Sequence, residues 1–286
     1  MQGGLHLQNN YKTHCDKTPL VTIVTPNYNG ATYLEETILC IRNQSYKNIE
    51  HIIVDGGSTD QSLEILKNNE DKIDFFISEK DNGMYDAINK GFSYANGKIL
   101  AYLNSDDLYH EKCIEKVVNA YQSLDEDYLL FSDFIIKNET TKNSYPYKST
   151  NLGKDSILCY ERMPFAQQSA FWTKKIWDSI GPFDTKYRYV GDFDFFSRIL
   201  LAPFSKIYRL KKHLATFRIH EDALSTHQKM IDEAVIVRER LDLKHISFRT
   251  LRKKLSHYYY TLSNIKSSLT YRYDKTKLPK EQNHES

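Results

Sequence analysis

No apolar run in this 286-residue chain approaches the roughly 20 residues that a membrane-crossing helix requires. The first 18 residues are polar and lack the apolar centre of a secretion signal, so the chain is expected in the cytoplasm. Cysteine is scarce: Cys15, Cys40, Cys113 and Cys159 stand far apart, with no CxxC spacing and no His-rich partner tract. That pattern argues against a disulfide framework or a zinc site and reads as four reduced thiols. No GxGxxG follows the first apolar segment, which makes a dinucleotide-binding dehydrogenase a poor fit. Internal repeats and low-complexity tracts are also missing.

A strong excess of one charge is missing too, since the net charge is only +2. Its distribution says more. Residues 244–286 hold ten Lys/Arg against three Asp/Glu, which leaves the first 243 residues at −5. A neutral-to-acidic body with a basic, Tyr-rich tail argues against a nucleic-acid binder, whose basic face lies on the folded domain. Such a tail fits anionic lipid or a membrane-bound partner, a dimer contact, or a solvated helical extension. With 40% apolar and 13% aromatic residues, the chain has enough material for a real core.

Residues 20–25 are β-branched and apolar, a buried strand stopped by Pro26 and the turn Asn27-Tyr28-Asn29-Gly30. Thr32 with Glu35 reads as a capping box, and Leu34, Ile38 and Ile41 supply the buried face of the helix it opens. Further strands are expected at 49–54, 74–78, 98–103 and 128–134. Helices are expected after Asp60, with Leu63 and Leu66 inward, and at 87–94 and 193–201. Residues 140–155 read as irregular. Four strand–helix alternations in about ninety residues mean an α/β fold, a mostly parallel sheet with helices on its faces. The organisation expected is a leader at 1–18, a globular body at 19–240 and a basic helical extension at 241–286.

In such sheets ligands bind outside the carboxyl ends of the strands. There the fourth strand delivers Asn104-Ser105-Asp106-Asp107. Paired acids at that point suit a hard divalent cation shared with substrate phosphates, although the same residues also make a good turn. Asp55 follows the second strand, backed by Gly56 and Gly57, and suits a hydrogen bond from a base or ribose. Pro26 and Tyr28 can present backbone and an aromatic face to a base, or simply end a strand. Asp192 opens the aromatic helix, where the helix terminus favours an ionised carboxylate; by itself it reads as a cap. His220, in a loop, is a candidate contact for metal or diphosphate.

In order along the chain, Thr25-Pro26-Asn27-Tyr28-Asn29, Val54-Asp55-Gly56-Gly57-Ser58-Thr59-Asp60, Asp81 to Gly91, Leu103 to Leu108 and Gly191-Asp192-Phe193-Asp194 resemble the successive motifs of family-2 inverting glycosyltransferases. The resemblance covers residues 19–225 and implies a GT-A nucleotide-diphospho-sugar transferase fold. It implies a donor site at Thr25, Pro26, Tyr28, Asn29, Asp55, Ser58, Asp81, Asn104 and Ser105. It further implies that Asp106, with Asp107 and His220, holds Mg²⁺ or Mn²⁺, and that Asp192 is the general base. The chain departs from the family in carrying Asn104 where an acid is common. The implied partners are a nucleotide-diphospho-sugar, UDP by default, and a saccharide or lipid-linked saccharide acceptor of capsule or O-antigen type. Gln167, Gln168 and Trp172 are placed by composition near the acceptor. A catalytically degenerate scaffold of the same fold is the alternative, although it has no chemical need for Asp106, Asp107 and Asp192 together. A phospho-accepting receiver domain would want acids after the first strand, and none stand there.

Overall fold

In the computed structural model, described for residues 1–124, 127–150, 163–203, 206–221, 229–241, 258, 262–265, 267 and 269, the first apolar segment is a central strand buried along its whole length. The strands in chain order are β1 (Gln2–Gly3), β2 (Val21–Asn27), β3 (Ile49–Asp55), β4 (Phe75–Ser78), β5 (Ile99–Tyr102), β6 (Leu108–Tyr109), β7 (Tyr128–Asn138), β8 (Ser144–Tyr147), β9 (Ala170–Thr173) and β10 (Lys206–Ile219). They form one sheet in the order β1-β4-β3-β2-β5-β9-β7-β10-β6, with β8 paired to β7. The run β4-β3-β2-β5 is parallel, as is β7 with β10; β9 joins the two blocks antiparallel to both β5 and β7.

Helices cover both faces. On one side lie α1 (Ala31–Arg42), α2 (Ser62–Asn68) and α4 (Cys113–Gln122). Leu34, Ile38 and Leu66 from this layer pack on Ile53 and Phe76 of the sheet. On the other side lie α3 (Met84–Ser93), α5 (Lys174–Ile180), α6 (Gly191–Leu201) and α7 (Lys229–Arg240). Here Trp172 meets Phe92, Tyr102, Phe195 and Phe196 at ring-centroid distances of 5.3–6.5 Å, mostly edge-on. Gly91 lets α3 lie against β2, because a Cβ there would fall 2.4 Å from a Val24 methyl.

Several expectations are corrected. The leader is partly docked: β1 pairs antiparallel with β4, His6 is buried, and the Lys12 ammonium meets Asp74 at 2.7 Å. The capping box does not form. Gly30 caps α1 without a side-chain bond, and the Ala31 N–H instead donates to Asp60 Oδ2 at 2.9 Å. The segment that reads as irregular contains β8. Strands β9 and β10 and helix α4 have no counterpart among the elements expected from the sequence pattern. Most of the basic extension lies outside the described residues. Within it, the Asn264 side chain accepts from the Lys148 N–H at 2.8 Å, and the Ser267 hydroxyl donates to the Pro146 carbonyl. Among the described residues no helix is long and apolar enough to cross a membrane.

Trp172 is 1% exposed at the centre of this aromatic layer. Trp172→Ala is expected to cost about 3–5 kcal/mol, read as a lower denaturant midpoint with an unchanged slope.

Candidate active site

Parallel pairing brings the ends of β2, β3 and β4 side by side, and the loops after them knit together. Asp55 is fully buried. Its Oδ1 accepts from Asn27 Nδ2 at 2.7 Å and from the Ser58 hydroxyl, while its Oδ2 accepts from the Ser78 hydroxyl at 2.7 Å and the Ser58 N–H at 3.1 Å. The carboxylate expected to meet a base or ribose thus holds the loops after β2, β3 and β4 together through four bonds. Thr25 is also buried, bonded to His51, whose imidazole burial keeps neutral with a pKa of about 3. Pro26 is buried in β2. What this loop presents outward is Tyr28, 67% exposed, and Asn29, held in the left-handed region at φ 51°. The Asn29 side chain accepts from the Thr59 N–H at 2.9 Å, and its own N–H donates to Ser58 Oγ at 2.8 Å. Gly56 makes room for Asp81: a Cβ would sit 2.7 Å from the Asp81 Oδ2. Burial raises the Asp81 pKa above the usual carboxylate range.

The turn after β5 is fixed from α1. The Thr37 hydroxyl donates to the Ser105 carbonyl at 2.8 Å and to the Asp107 carbonyl at 3.1 Å. Gly30 sits against the same turn, since a Cβ there would lie 2.8 Å from Ser105 Oγ. Asp106 points outward, partly exposed, with His220 Nε2 2.9 Å from its Oδ2. Asp107 goes the other way. It is buried, and its Oδ1 accepts the Arg218 N–H at 2.9 Å. Burial, with Asp106 adjacent, pushes its pKa well above the ordinary value. The residue expected to stand beside a cation is thus a latch between this turn and the end of β10, and the latch brings His220 to Asp106. Beneath them Arg218 is 1% exposed, ion-paired to Glu36 at 2.7 Å and lying 4.9 Å from the Tyr33 ring centroid.

Among the described residues no three His, Cys, Asp or Glu side chains converge on one point. Asp106 and His220 make a two-residue donor set, and nearby in the chain the buried Asn104 Oδ1 has no hydrogen-bond partner among the described residues. One carboxylate, one imidazole and an orphaned amide oxygen suit a hard cation whose remaining positions are filled by phosphate oxygens.

The third corner is the start of α6. Gly191 lies against the Tyr85 ring, where a Cβ would be 2.7 Å from two ring carbons. This contact brings the Tyr85 hydroxyl to Asp192 Oδ1 at 3.3 Å; the Phe193 N–H donates to the same oxygen at 2.7 Å. Neither bond engages Oδ2. Against the expectation that the helix terminus favours the ionised form, desolvation by the surrounding protein wins and raises the Asp192 pKa. Tyr85 is not among the residues that sequence reasoning singles out; its signal is its place in the first turn of α3, four residues after Asp81. Tyr102, at the end of β5, is buried, and burial, with Asp192, Tyr85 and Asp107 adding to it, raises its hydroxyl pKa well above the ordinary value. The acceptor-side expectation fails for Trp172 and Gln168, both buried in the core, while Gln167 donates to the Tyr102 carbonyl at 2.7 Å.

Asp107→Asn keeps an oxygen for the Arg218 N–H and should leave the thermal midpoint within about 4 °C of the parent. Asp107→Ala strands that N–H and should cost about 1–3 kcal/mol. Thermal unfolding of both variants checks the latch.

Residues 22–186 match the family model described as Glycosyl transferase family 2. A protein of Rickettsia typhi named as an uncharacterized glycosyltransferase is 30% identical over 216 residues, 73% of this chain and 67% of that protein. A PGL/p-HBAD biosynthesis glycosyltransferase of Mycobacterium tuberculosis is 28% identical over 194 residues, covering 65% of this chain and 71% of its own. Among solved structures, S. aureus TarS 1–349 in complex with UDP-GlcNAc superposes with a TM-score of 0.58 at 15% identity, over 76% of this chain and 66% of that one. The mannosyltransferase PcManGT from Pyrobaculum calidifontis, in complex with GDP-Man and Mn²⁺, gives 0.58 at 15% identity over 96% and 81%. These two likenesses establish a GT-A fold. The family match spans more than half of the sequence and covers the β2, β3, β4 and β5 strand ends with their loops, stopping short of Asp192 and His220: the chain belongs to glycosyl transferase family 2.

Proposed function

We propose that this glycosyltransferase moves a sugar from a nucleotide-diphospho-sugar to an acceptor hydroxyl with inversion at the anomeric carbon, using Asp192 as general base. The observation that carries the reading is the Asp192 carboxylate: it is anchored through Oδ1 by the Phe193 N–H and the Tyr85 hydroxyl, and burial has raised its pKa. A raised pKa makes it a stronger base, while the anchoring leaves Oδ2 to take a proton.

The donor reading rests on the outward groups of the strand-end loops. Tyr28, Asn29 and Asp81 border the nucleoside side, and Asn104, Ser105 and Asp106 the diphosphate side. Asp55, Thr25, Pro26 and Ser58 support these loops from behind. Asp106, His220 and the Asn104 amide oxygen would hold Mg²⁺ or Mn²⁺. The chemistry such an ion supplies when bound is Lewis-acid neutralisation of the departing nucleoside diphosphate. The chain's own residues do the rest. The loops align the donor, and the Asp192 Oδ2 draws the proton from an acceptor hydroxyl that attacks from the opposite face. Holding both substrates in line lowers the entropic part of the barrier.

The acceptor proposed is a saccharide or lipid-linked saccharide of the cell surface. The basic extension supports a peripheral site at an anionic membrane face. Exposed Tyr258, Leu262, Ile265 and Leu269 add an apolar component.

Calorimetry against UDP-, GDP-, CDP- and dTDP-sugars, with Mn²⁺ or with EDTA, tests the donor site. One nucleotide class is expected to bind only with metal and to weaken at least about tenfold in Asp106→Ala, equivalent to about 1.4 kcal/mol. No binding of any class with Mn²⁺ present would overturn the donor reading.

A further inference from the structure

Asp192 lies in the first turn of α6, and helix first turns leave backbone N–H groups without intrahelical partners. Val190, the N-cap, provides no side-chain acceptor for them. The Phe193 N–H in that turn goes to Asp192 Oδ1, and the loop just before the turn is held from a different helix. Glu233, on α7, accepts three consecutive N–H groups of the loop that leads into Asp192. Its Oε2 takes the Tyr189 N–H at 2.7 Å, the Arg188 N–H at 3.1 Å and the Val190 N–H at 3.3 Å, and its Oε1 takes the Arg188 N–H at 3.0 Å. A carboxylate at a helix N-terminus is also favoured by the helix dipole.

The rest of α7 holds Glu233 in place. Val237 is fully buried, and Met230, Ala234 and Leu241 pack on the aromatic core. The Arg238 guanidinium lies 5.7 Å from the Phe193 ring centroid. Arg240 pairs with Asp184 at 3.1 Å and with the buried Asp194, one turn into α6. Helix α7 therefore grips α6 on both sides of Asp192. It lies beyond the stretch that matches the family model, so neither the motif pattern nor the family match points to it.

We infer that Glu233 is a positioning residue for Asp192: its carboxylate fixes the 188–190 loop so that Gly191 stays against Tyr85 and the Asp192 carboxylate stays on the Phe193 N–H. The inference rests on the proposal that Asp192 is the base, but its geometric half can be read without turnover. The Phe193 amide reports the Asp192 pose directly, because Asp192 Oδ1 is the acceptor for that N–H.

The test is residue-resolved amide hydrogen exchange on the full chain, comparing the parent with Glu233→Ala and Glu233→Gln. Nucleoside diphosphate release from UDP-glucose, UDP-N-acetylglucosamine and GDP-mannose with Mn²⁺, water being the acceptor, is measured alongside. In Glu233→Ala, exchange is expected to quicken at least tenfold at residues 188–190 and also at Phe193, and kcat to fall at least tenfold with KM changed less than twofold. Glu233→Gln keeps one oxygen for the Tyr189 N–H and should lie between. Faster exchange confined to 188–190, with Phe193 unchanged, would reduce Glu233 to a local structural role and overturn the inference. So would an unchanged kcat in Glu233→Ala when Asp192→Asn is inactive. Full activity in Asp192→Asn would instead remove the base reading, and the Phe193 exchange would still decide the geometry. Should Glu233→Ala fail to fold, the same criteria apply to Glu233→Gln.

Discussion

Parallel pairing of β4, β3, β2 and β5 is the constraint on which the site depends. Each of these strands must be followed by a crossover before the next can start, so every one of them releases its polar C-terminal residues at the same edge. Asn27, Asp55, Ser78 and the Asn104–Asp107 turn meet there because the backbone ladder leaves them nowhere else to go. The antiparallel strand β9 then couples this block to β7 and β10, and the end of β10 brings Arg218 and His220 to the same edge.

Within that edge, burial divides the carboxylates into different jobs. Asp55 is enclosed and spends both oxygens on neighbouring donors, while Asp107, equally enclosed, gives Oδ1 to the Arg218 N–H and leaves Oδ2 without a partner among the described residues. Asp106 keeps a partly exposed side chain beside His220. Asp192 stands between these extremes, desolvated enough to raise its pKa but engaged through only one oxygen in its two bonds. Four acids close in sequence pattern thus differ in chemistry because their surroundings differ, the general way in which one fold runs acid and base steps side by side.

Much of this is legible in the amino-acid sequence. Strands β2 to β5 are apolar runs bounded by turn residues, and their periodicity places them within a few residues of where they lie. The order of the polar loops leads to Asp106, Asp192 and the α/β class. Other features leave no local trace. Strand β10 carries Lys206, Arg209, Lys211, Lys212 and Arg218, and two register shifts break its pairing with β7, so it has no clean alternation to read. The capping box at Thr32 and Glu35 is a valid local pattern that loses to a long-range bond from Asp60. Asp107 looks equivalent to Asp106, because which of two adjacent carboxylates turns inward is decided by β10, more than a hundred residues away. Glu233 is invisible for the same reason: its partners are backbone N–H groups, which carry no sequence signature. Trp172 misleads in the opposite sense, since an aromatic suited to stacking on a sugar is equally suited to a core.

The most direct test of the account is the pH dependence of nucleoside diphosphate release in the parent and in Asp192→Asn. A general base works only when deprotonated, so on the proposed role of Asp192 the parent rate should fall as pH drops through its pKa, and burial places that limb above the ordinary carboxylate value of about 3.9. Asp192→Asn should be slower by about 10²–10⁴-fold, with that limb gone and donor affinity intact. A variant with the parent rate and the same acidic limb would contradict the central claim.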